Sequence, residues 1–391
     1  MNKPFSGKNF IVATHFLIYS ASQALRDYLR KEDAKLLYIS HPLPGVNPDR
    51  KEHSYAEISK SEKISEKFSA SLRFNFLPLA IFYEILLTLK WVYLSNQVYE
   101  VYIGVDNINA FEGILLKKLG KVKKVVYYTI DYFPMRYSNK LLNSLYHWLD
   151  KFCVKNADET WNVSSQMVLA RESHNAMDRK IYNRQFTVPI GVWYEKTKRV
   201  AFSKINSKKL VFVGHLVSHM GLDLILKSIP LISKKNPTIE VDIIGGGEEL
   251  ENLKALAQKL KIEKYITFYG WVRDRDKLEK IMQDAAVGLA TFNTEILDEK
   301  VKNADPMKIK DYMLLGMPVI LTNAVLPAQK IADSKSGIVV QYNPSDLAKA
   351  VIYLLENKKR LEEYRQNALQ YVKQFDYNKL FAENLERVLA R

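Results

Sequence analysis

Cysteine is nearly missing from this 391-residue chain. Cys153 stands alone, so no intramolecular disulfide can form, and a reducing compartment is consistent with that. No Cys/His spacing suggests a zinc site, and the seven histidines include no His-Glu-x-x-His pair. Acidic residues are outnumbered: 43 Asp and Glu face 58 Lys and Arg, leaving a net charge of +15. Such a balance suits an anionic partner, whether a nucleotide diphosphate, a membrane surface or nucleic acid. The excess is spread over both halves, with no basic arm or tail, so nucleic acid is the weakest of the three.

Long uncharged apolar runs are also lacking. Phe10–Tyr19, after Lys3 and Lys8 and before Ser20, Ala21 and Ser22, imitates a secretory signal. His15 breaks the run and an amphipathic helix follows, so Asn9–Thr14 is expected as a first strand. Phe74–Leu94 resembles a membrane span, but Pro78, Glu84 and Lys90 interrupt it. A buried helix is the expectation, and a partly exposed helix dipping into one leaflet is the alternative. The length predicts two domains. Their expected bounds are 1–192 and 209–373, joined by a polar, Lys-rich linker over 193–208. A last helix is expected in 374–391.

The most informative stretch is Leu210–Gly316. Apolar runs alternate with helical periodicity: Lys209–Val213, a helix from Gly221, Ile239–Ile244, Glu248–Leu260, Ile266–Tyr269, Leu278–Asp284, Ala286–Thr291, Ile309–Leu315 and Val319–Thr322. This order predicts a parallel sheet covered by helices on both faces, with ligands beyond the strand ends. The fragments there read VGHLVSHMG, IIGGGEE, FYGWV and NADPMKIKDYMLLGMPVI.

Together these fragments resemble the donor half of a GT-B glycosyltransferase of family 4, whose loops read G-R-L-x-x-x-K-G, a glycine turn, F-x-G, and E-x7-E running into G-x-P-V-I. The resemblance implies an α/β fold of two Rossmann-like domains facing a cleft, with the helix in 374–391 crossing back to the first domain. It also implies a nucleotide-sugar donor, retention at the anomeric carbon, and no cofactor or required metal. The expected donor-binding set is Gly214, His215, Leu216, Gly221, Gly246, Trp271, Val272, Asp305, Met307, Lys308 and Asp311. Backbone N–H groups near Gly214–Leu216 and Met307–Lys308 are expected to hold the diphosphate, Asp311 the ribose, and Trp271 with Val272 the base. The sequence departs from the family where charge matters. The loop Arg falls on His215, its partner Lys on Met220, and the two Glu positions on Asn303 and Asp311. Lys308 is the cation that remains.

In the first half, the loop after the first strand, THFLIYSASQ, lacks the family's glycine pair, and His15 and Tyr19 are candidates there. Where the family carries a histidine-bearing segment, this chain carries Asp131. A carboxylate at a strand's C-terminal end suits acid–base work or a cap equally. The expected catalytic group is Asp131, Lys308 and His15. Pro42–Ser71 is expected as a polar excursion. Lys117, Lys118, Lys121, Lys123 and Lys124 form either a solvated helix end or a patch for an anionic acceptor or membrane. Asp274-Arg275-Asp276 imitates a metal motif but reads as a surface turn. The composite expectation is a cytoplasmic hexosyltransferase acting on a lipid-linked or saccharide acceptor in cell-surface polysaccharide or glycolipid assembly. Peripheral membrane association goes with it, and nucleic acid does not. A nucleotide-sugar epimerase and an inactive scaffold subunit are the alternatives.

Overall fold

The computed structural model describes residues 3–15, 19–42, 53–71, 74, 76–296 and 305–391. The chain divides into two compact units, Met1–Gly191 with Tyr377–Arg391, and Val192–Asp376.

The first unit holds an eight-stranded sheet of β1 (Asn9–Thr14), β2 (Lys35–Ser40), β3 (His53–Lys60), β4 (Lys63–Ser71), β5 (Tyr99–Val105), β6 (Val122–Thr129), β7 (Glu159–Asn162) and β8 (Gln185–Thr187). Its order is β4-β3-β2-β1-β5-β6-β7-β8. All pairs are parallel except β2–β3 and β3–β4. β1, the suspected signal run, is therefore central and fully buried over Phe10–Ala13. The polar stretch expected as an excursion instead forms the β3–β4 hairpin, which extends the sheet; residues 43–52 lie outside the described residues. Alternation of Ser54, Ala56 and Ile58 inward against charged neighbours explains why a polar segment can be a strand. The last helix, Tyr377–Ala390, packs within this unit. Phe381 lies 5.6 Å from Tyr28, and Arg387 forks onto buried Glu159.

The Leu77–Leu94 helix corrects the expectation of a buried helix. Ala80, Glu84, Leu87, Thr88, Trp91 and Val92 face the core, but Phe76, Leu79, Phe82, Leu86 and Tyr93 stand exposed. It is long and apolar enough to cross a membrane, with one third of its length buried.

The second unit is a six-stranded parallel sheet, ordered β11-β10-β9-β12-β13-β14. The strands are β9 (Asn206–Val213), β10 (Glu240–Ile244), β11 (Ile266–Gly270), β12 (Ala285–Ala290), β13 (Val319–Thr322) and β14 (Gly337–Val340). The segment expected as a linker belongs to this unit. Arg199 donates to Leu314 O at 2.8 Å and lies over the Tyr194 ring, and β9 begins at Asn206. In both sheets the strand order reverses once, between β1 and β5 and between β9 and β12. Ligands of open parallel sheets bind beyond such reversal points.

One side chain ties the second sheet to the helix that carries most of the candidate site. Tyr312, fully buried on the Met307–Leu314 helix, accepts from Val213 N–H at 2.7 Å and donates to Leu289 O at 3.2 Å. Gly288 makes room, since a Cβ there would lie 2.3 Å from the ring. Tyr312→Phe leaves a strand N–H without its partner. It should lower unfolding stability by about 1–3 kcal/mol, read as a lower urea midpoint with an unchanged slope.

Candidate functional site

The site of the second unit is built at the β9/β12 reversal point. After β9 the chain turns at Gly214, and after β10 at Gly245, both at positive φ (148° and 141°). The two turns touch: a Cβ on Gly245 would lie 1.9 Å from Gly214 O, and one on Gly247 2.3 Å from Leu216 O. The loops are also bonded together, Gly214 N–H to Ile244 O and Leu216 N–H to Gly246 O, each at 3.0 Å. This corrects the expectation for Gly214 and Leu216, whose N–H groups the neighbouring loop already uses, while His215 N–H between them makes no such bond among the described residues. Donors remain at the first turn of the Met307–Leu314 helix, where Met307 and Lys308 N–H have no intrahelical partner and the helix dipole is positive.

Lys308 extends from that turn into a cage. Its ammonium lies over Phe212 (4.3 Å) and Phe292 (5.1 Å) and 3.3 Å from the Met220 sulfur. It faces Gly214 so closely that a Cβ there would lie 2.9 Å from Nζ. Among the described residues no carboxylate bonds to it, and burial pulls its pKa down to about 7. The neighbouring charges are committed elsewhere. Asp305 pairs with buried Lys310, and Asp311 accepts from Arg275 at 2.6 Å. Arg275 also holds Glu279. Sequence reasoning missed Arg275, which is the middle residue of the set-aside Asp274-Arg275-Asp276. Asp274 itself caps the Arg275–Met282 helix, accepting from Lys277 N–H.

Trp271 follows β11 and covers the second glycine turn, since a Cβ on Gly246 would lie 2.4 Å from its Nε1. Its indole is more than half exposed, and His215 meets its ring edge-on at 4.8 Å. Val272 beside it packs onto the core. Gly221 stands at φ 65° against Thr291 O, where a Cβ would lie at 1.7 Å. The structure thus gathers Gly214, His215, Leu216, Gly246 and Trp271 along one pair of loops, with Lys308 and Gly221 against the first. Asn303 lies outside the described residues.

The first unit carries a second site at its own reversal point. His15 follows β1, Asp106 follows β5 and Asp131 follows β6; the three line one pocket with Glu84, Arg136 and Tyr146. His15 does not fit the expected acid–base role. Asn109 Nδ2 donates to its Nδ1 at 2.6 Å and to Val105 O at 2.6 Å, so the ring proton sits on Nε2 and is given to Glu84 at 3.1 Å. Both nitrogens are used, and His15 positions its neighbours. Tyr19 does not line the pocket; its hydroxyl donates to Asp27. Asp131 stands at the exposed mouth, its pKa raised by burial of its surroundings against the pull of Arg136. Asp106, Glu84 and Arg136 were missed, although Asp106 ends a strand in the sequence and was legible there.

The lysine cluster resolves into separate tasks. Lys117 bridges Asp158 at 2.7 Å, and Lys124 donates to the C-terminal carbonyls of Val388 and Leu389. Lys121 lies over Tyr93 and Lys118 over Phe152.

Two open sheets of mostly parallel strands, each with one strand-order reversal, give an α/β protein of GT-B fold. Residues 194–371 match the family described as "Glycosyl transferases group 1". The chain is 28% identical over 157 residues to an uncharacterized glycosyltransferase of Haemophilus influenzae, covering 40% of this chain and 41% of that protein. It is 23% identical over 286 residues to an uncharacterized glycosyltransferase of Methanocaldococcus jannaschii, covering 70% of each. In structure it resembles Anabaena HepE, solved in complex with UDP, with a TM-score of 0.68, 13% identity, and 97% of this chain and 100% of that one covered.

The lysine cage has a measurable signature. An unfolded lysine titrates near pH 10.4, while Lys308 in the fold titrates near 7. Between these values the unfolded chain binds more protons, so Lys308 makes stability rise with pH by up to about 1.4 kcal/mol per pH unit. Lys308→Met should flatten that rise and stabilise the protein at pH 7, as read from urea unfolding at pH 7, 8, 9 and 10.

Proposed function

We propose that this protein is a transferase that moves a hexosyl group from a nucleotide-diphosphate sugar to a hydroxyl acceptor. The observation that carries this reading is the caged ammonium of Lys308, held against a glycine loop and at a helix N-terminus with no carboxylate partner among the described residues. Such a group is costly to bury unless an anion joins it. A diphosphate supplies that anion, and its negative charge grows as the anomeric C–O bond breaks and the electron pair moves to the phosphate oxygen. Lys308 and the first-turn N–H groups stabilise this charge where it develops. Asp311, oriented by Arg275, keeps its second oxygen for ribose hydroxyls, and Trp271 with Val272 borders the base. The reading includes retention at the anomeric carbon and no required metal.

The test is turnover of wild type and Lys308→Ala across a panel of UDP-, GDP- and ADP-sugars. Lys308→Ala should lower turnover by ~10²–10³-fold while binding of the bare nucleoside stays within twofold. His215→Ala should cost less. Wild-type turnover in Lys308→Ala would remove this assignment. Isomerised nucleotide sugar from donor alone would reassign the protein as an epimerase.

The acceptor side of the proposal is a lipid-linked or saccharide hydroxyl met at the cytoplasmic face of a membrane, in polysaccharide or glycolipid assembly. Supporting this, Phe76, Leu79, Phe82, Leu86 and Tyr93 form one exposed stripe on the Leu77–Leu94 helix, with exposed Lys90 in the same row. Leu141, Leu145 and Trp148 form another on the Lys140–Asn156 helix, continued by Lys155. Helices joining parallel strands run the same way, so both stripes are apolar at the pocket end and basic at the far end. The chain should sediment with vesicles of phosphatidylglycerol and phosphatidylcholine at low salt. It should be released as salt shortens the Debye length from ~30 Å at 0.01 M to ~3 Å at 1 M. Phe82→Glu should reduce the bound fraction at every salt concentration, and equal recovery in the supernatant with and without lipid would refute the membrane reading.

A further inference from the structure

We infer that the pocket beyond β1, β5 and β6 reads the hydroxyl edge of an uncharged sugar, with Asp106 and Asp131 as paired acceptors and Arg136 as a donor beside them. The inference rests on the hydroxyl-acceptor reading above and narrows its substrate class.

Backbone geometry gives the first reason. Asp106 stands at φ 67°, in the left-handed region, where glycine fits without strain. An aspartate there places a carboxylate at the mouth of the β1/β5 reversal point, next to the end of β6 where Asp131 sits. Burial pushes Asp106 up to about 6 against the pull of Arg136, with Asp131 adding to the rise. The two carboxylates therefore feel each other across one space.

The second reason is an orphan. Glu84 borders the same pocket and is fully buried. Its Oε2 takes the His15 proton, while its Oε1 has no hydrogen-bond partner among the described residues. Buried acceptors are rarely left unpaired, so an unpaired one beside a pocket marks a place for a donor. A sugar hydroxyl is a donor of that kind.

Size and charge define the ligand. The enclosed space is about 60 Å³, room for a few water-sized groups, so it takes the edge of a ring and leaves the rest outside. Tyr137 and Tyr146 supply the aromatic wall that suits a sugar's C–H face. Asp106 and Asp131 outnumber Arg136 at the mouth, and Glu84 accepts from a neutral His15. A phosphate or uronate would meet like charge there, whereas a neutral hydroxyl pair is accepted.

The experiment uses the full chain at pH 7.5 and saturation-transfer NMR with two probes, methyl α-glucoside and methyl α-glucuronide. UDP affinity is measured by calorimetry on the same samples. The neutral glycoside should bind at least ~10-fold more tightly than the glucuronide, about 1.4 kcal/mol of discrimination. Asp106→Asn should weaken the neutral glycoside and close most of that gap. Asp106→Gly relieves the backbone, so it should fold at least as stably as wild type and still lose the discrimination. No detectable binding of the neutral glycoside, equal binding of both probes to wild type, or wild-type discrimination in Asp106→Gly would each overturn the proposal. UDP, with GDP and ADP measured in the same way, separates the two readings. Failure of the sugar arm with one of these nucleotides bound sinks the pocket alone, while discrimination with none of the three bound supports the pocket and removes the transferase reading.

Discussion

Everything in the second unit's site follows from one steric constraint: the β9 and β10 turns approach more closely than any side chain permits. Gly245 and Gly214 are in contact across 1.9 Å of would-be Cβ distance. The contact locks the loops and spends the N–H groups of Gly214 and Leu216 on neighbouring carbonyls. A loop closed this way has little backbone left to receive an anion. Charge must then come from a side chain brought in from elsewhere, and Tyr312 fixes the helix that brings it. The aromatic cage explains why Lys308 does not fold back onto Asp305 or Asp311. Those carboxylates already hold Lys310 and Arg275.

The first unit is organised around a different constraint, an unusually polar interior. Glu84, Glu112, His15, His41 and Thr88 are all buried between the sheet and the Leu77–Leu94 helix. Burial holds Glu112 well above the usual carboxylate range, and it keeps His41 neutral between Ser54 and Thr88. Burying so many polar groups is tolerable only where most are bonded. The geometry of the pocket wall is fixed by this network, which sets the tautomer of His15.

The sequence made the second unit readable because its strands are buried on both faces and its turns are glycine-marked. Each expected strand from Lys209 to Thr322 is present, with ends shifted by a few residues. β14 and the Ala328–Asp333 helix, only four and six residues long, went unread. The hairpin of β3 and β4 was obscured because a strand with one solvated face looks like loop in composition. The half-exposed Leu77–Leu94 helix misled in the opposite sense, since an apolar sequence does not say which face is covered. Among site residues, spacing located Lys308, Gly214 and Asp131. It did not reveal that Arg275 would hold Asp311, or that Asn109 would occupy His15, because those pairs join residues 36 and 94 positions apart.

The β3–β4 hairpin also decides how the first sheet ends. A parallel sheet that stopped at β2 would present a straight row of unpaired amides and carbonyls. The chain instead finishes that side with an antiparallel strand carrying Lys63, Glu66 and Lys67, largely exposed, with a bulge at Ile58/Ser59. Charged residues and bulges on an outer strand deter another chain from adding to it. At the opposite margin β8 is only three residues long, too short to template a partner strand. Both margins of this sheet are therefore poor seeds for edge-to-edge aggregation, which leaves the exposed helix faces as the sticky surface of the unit.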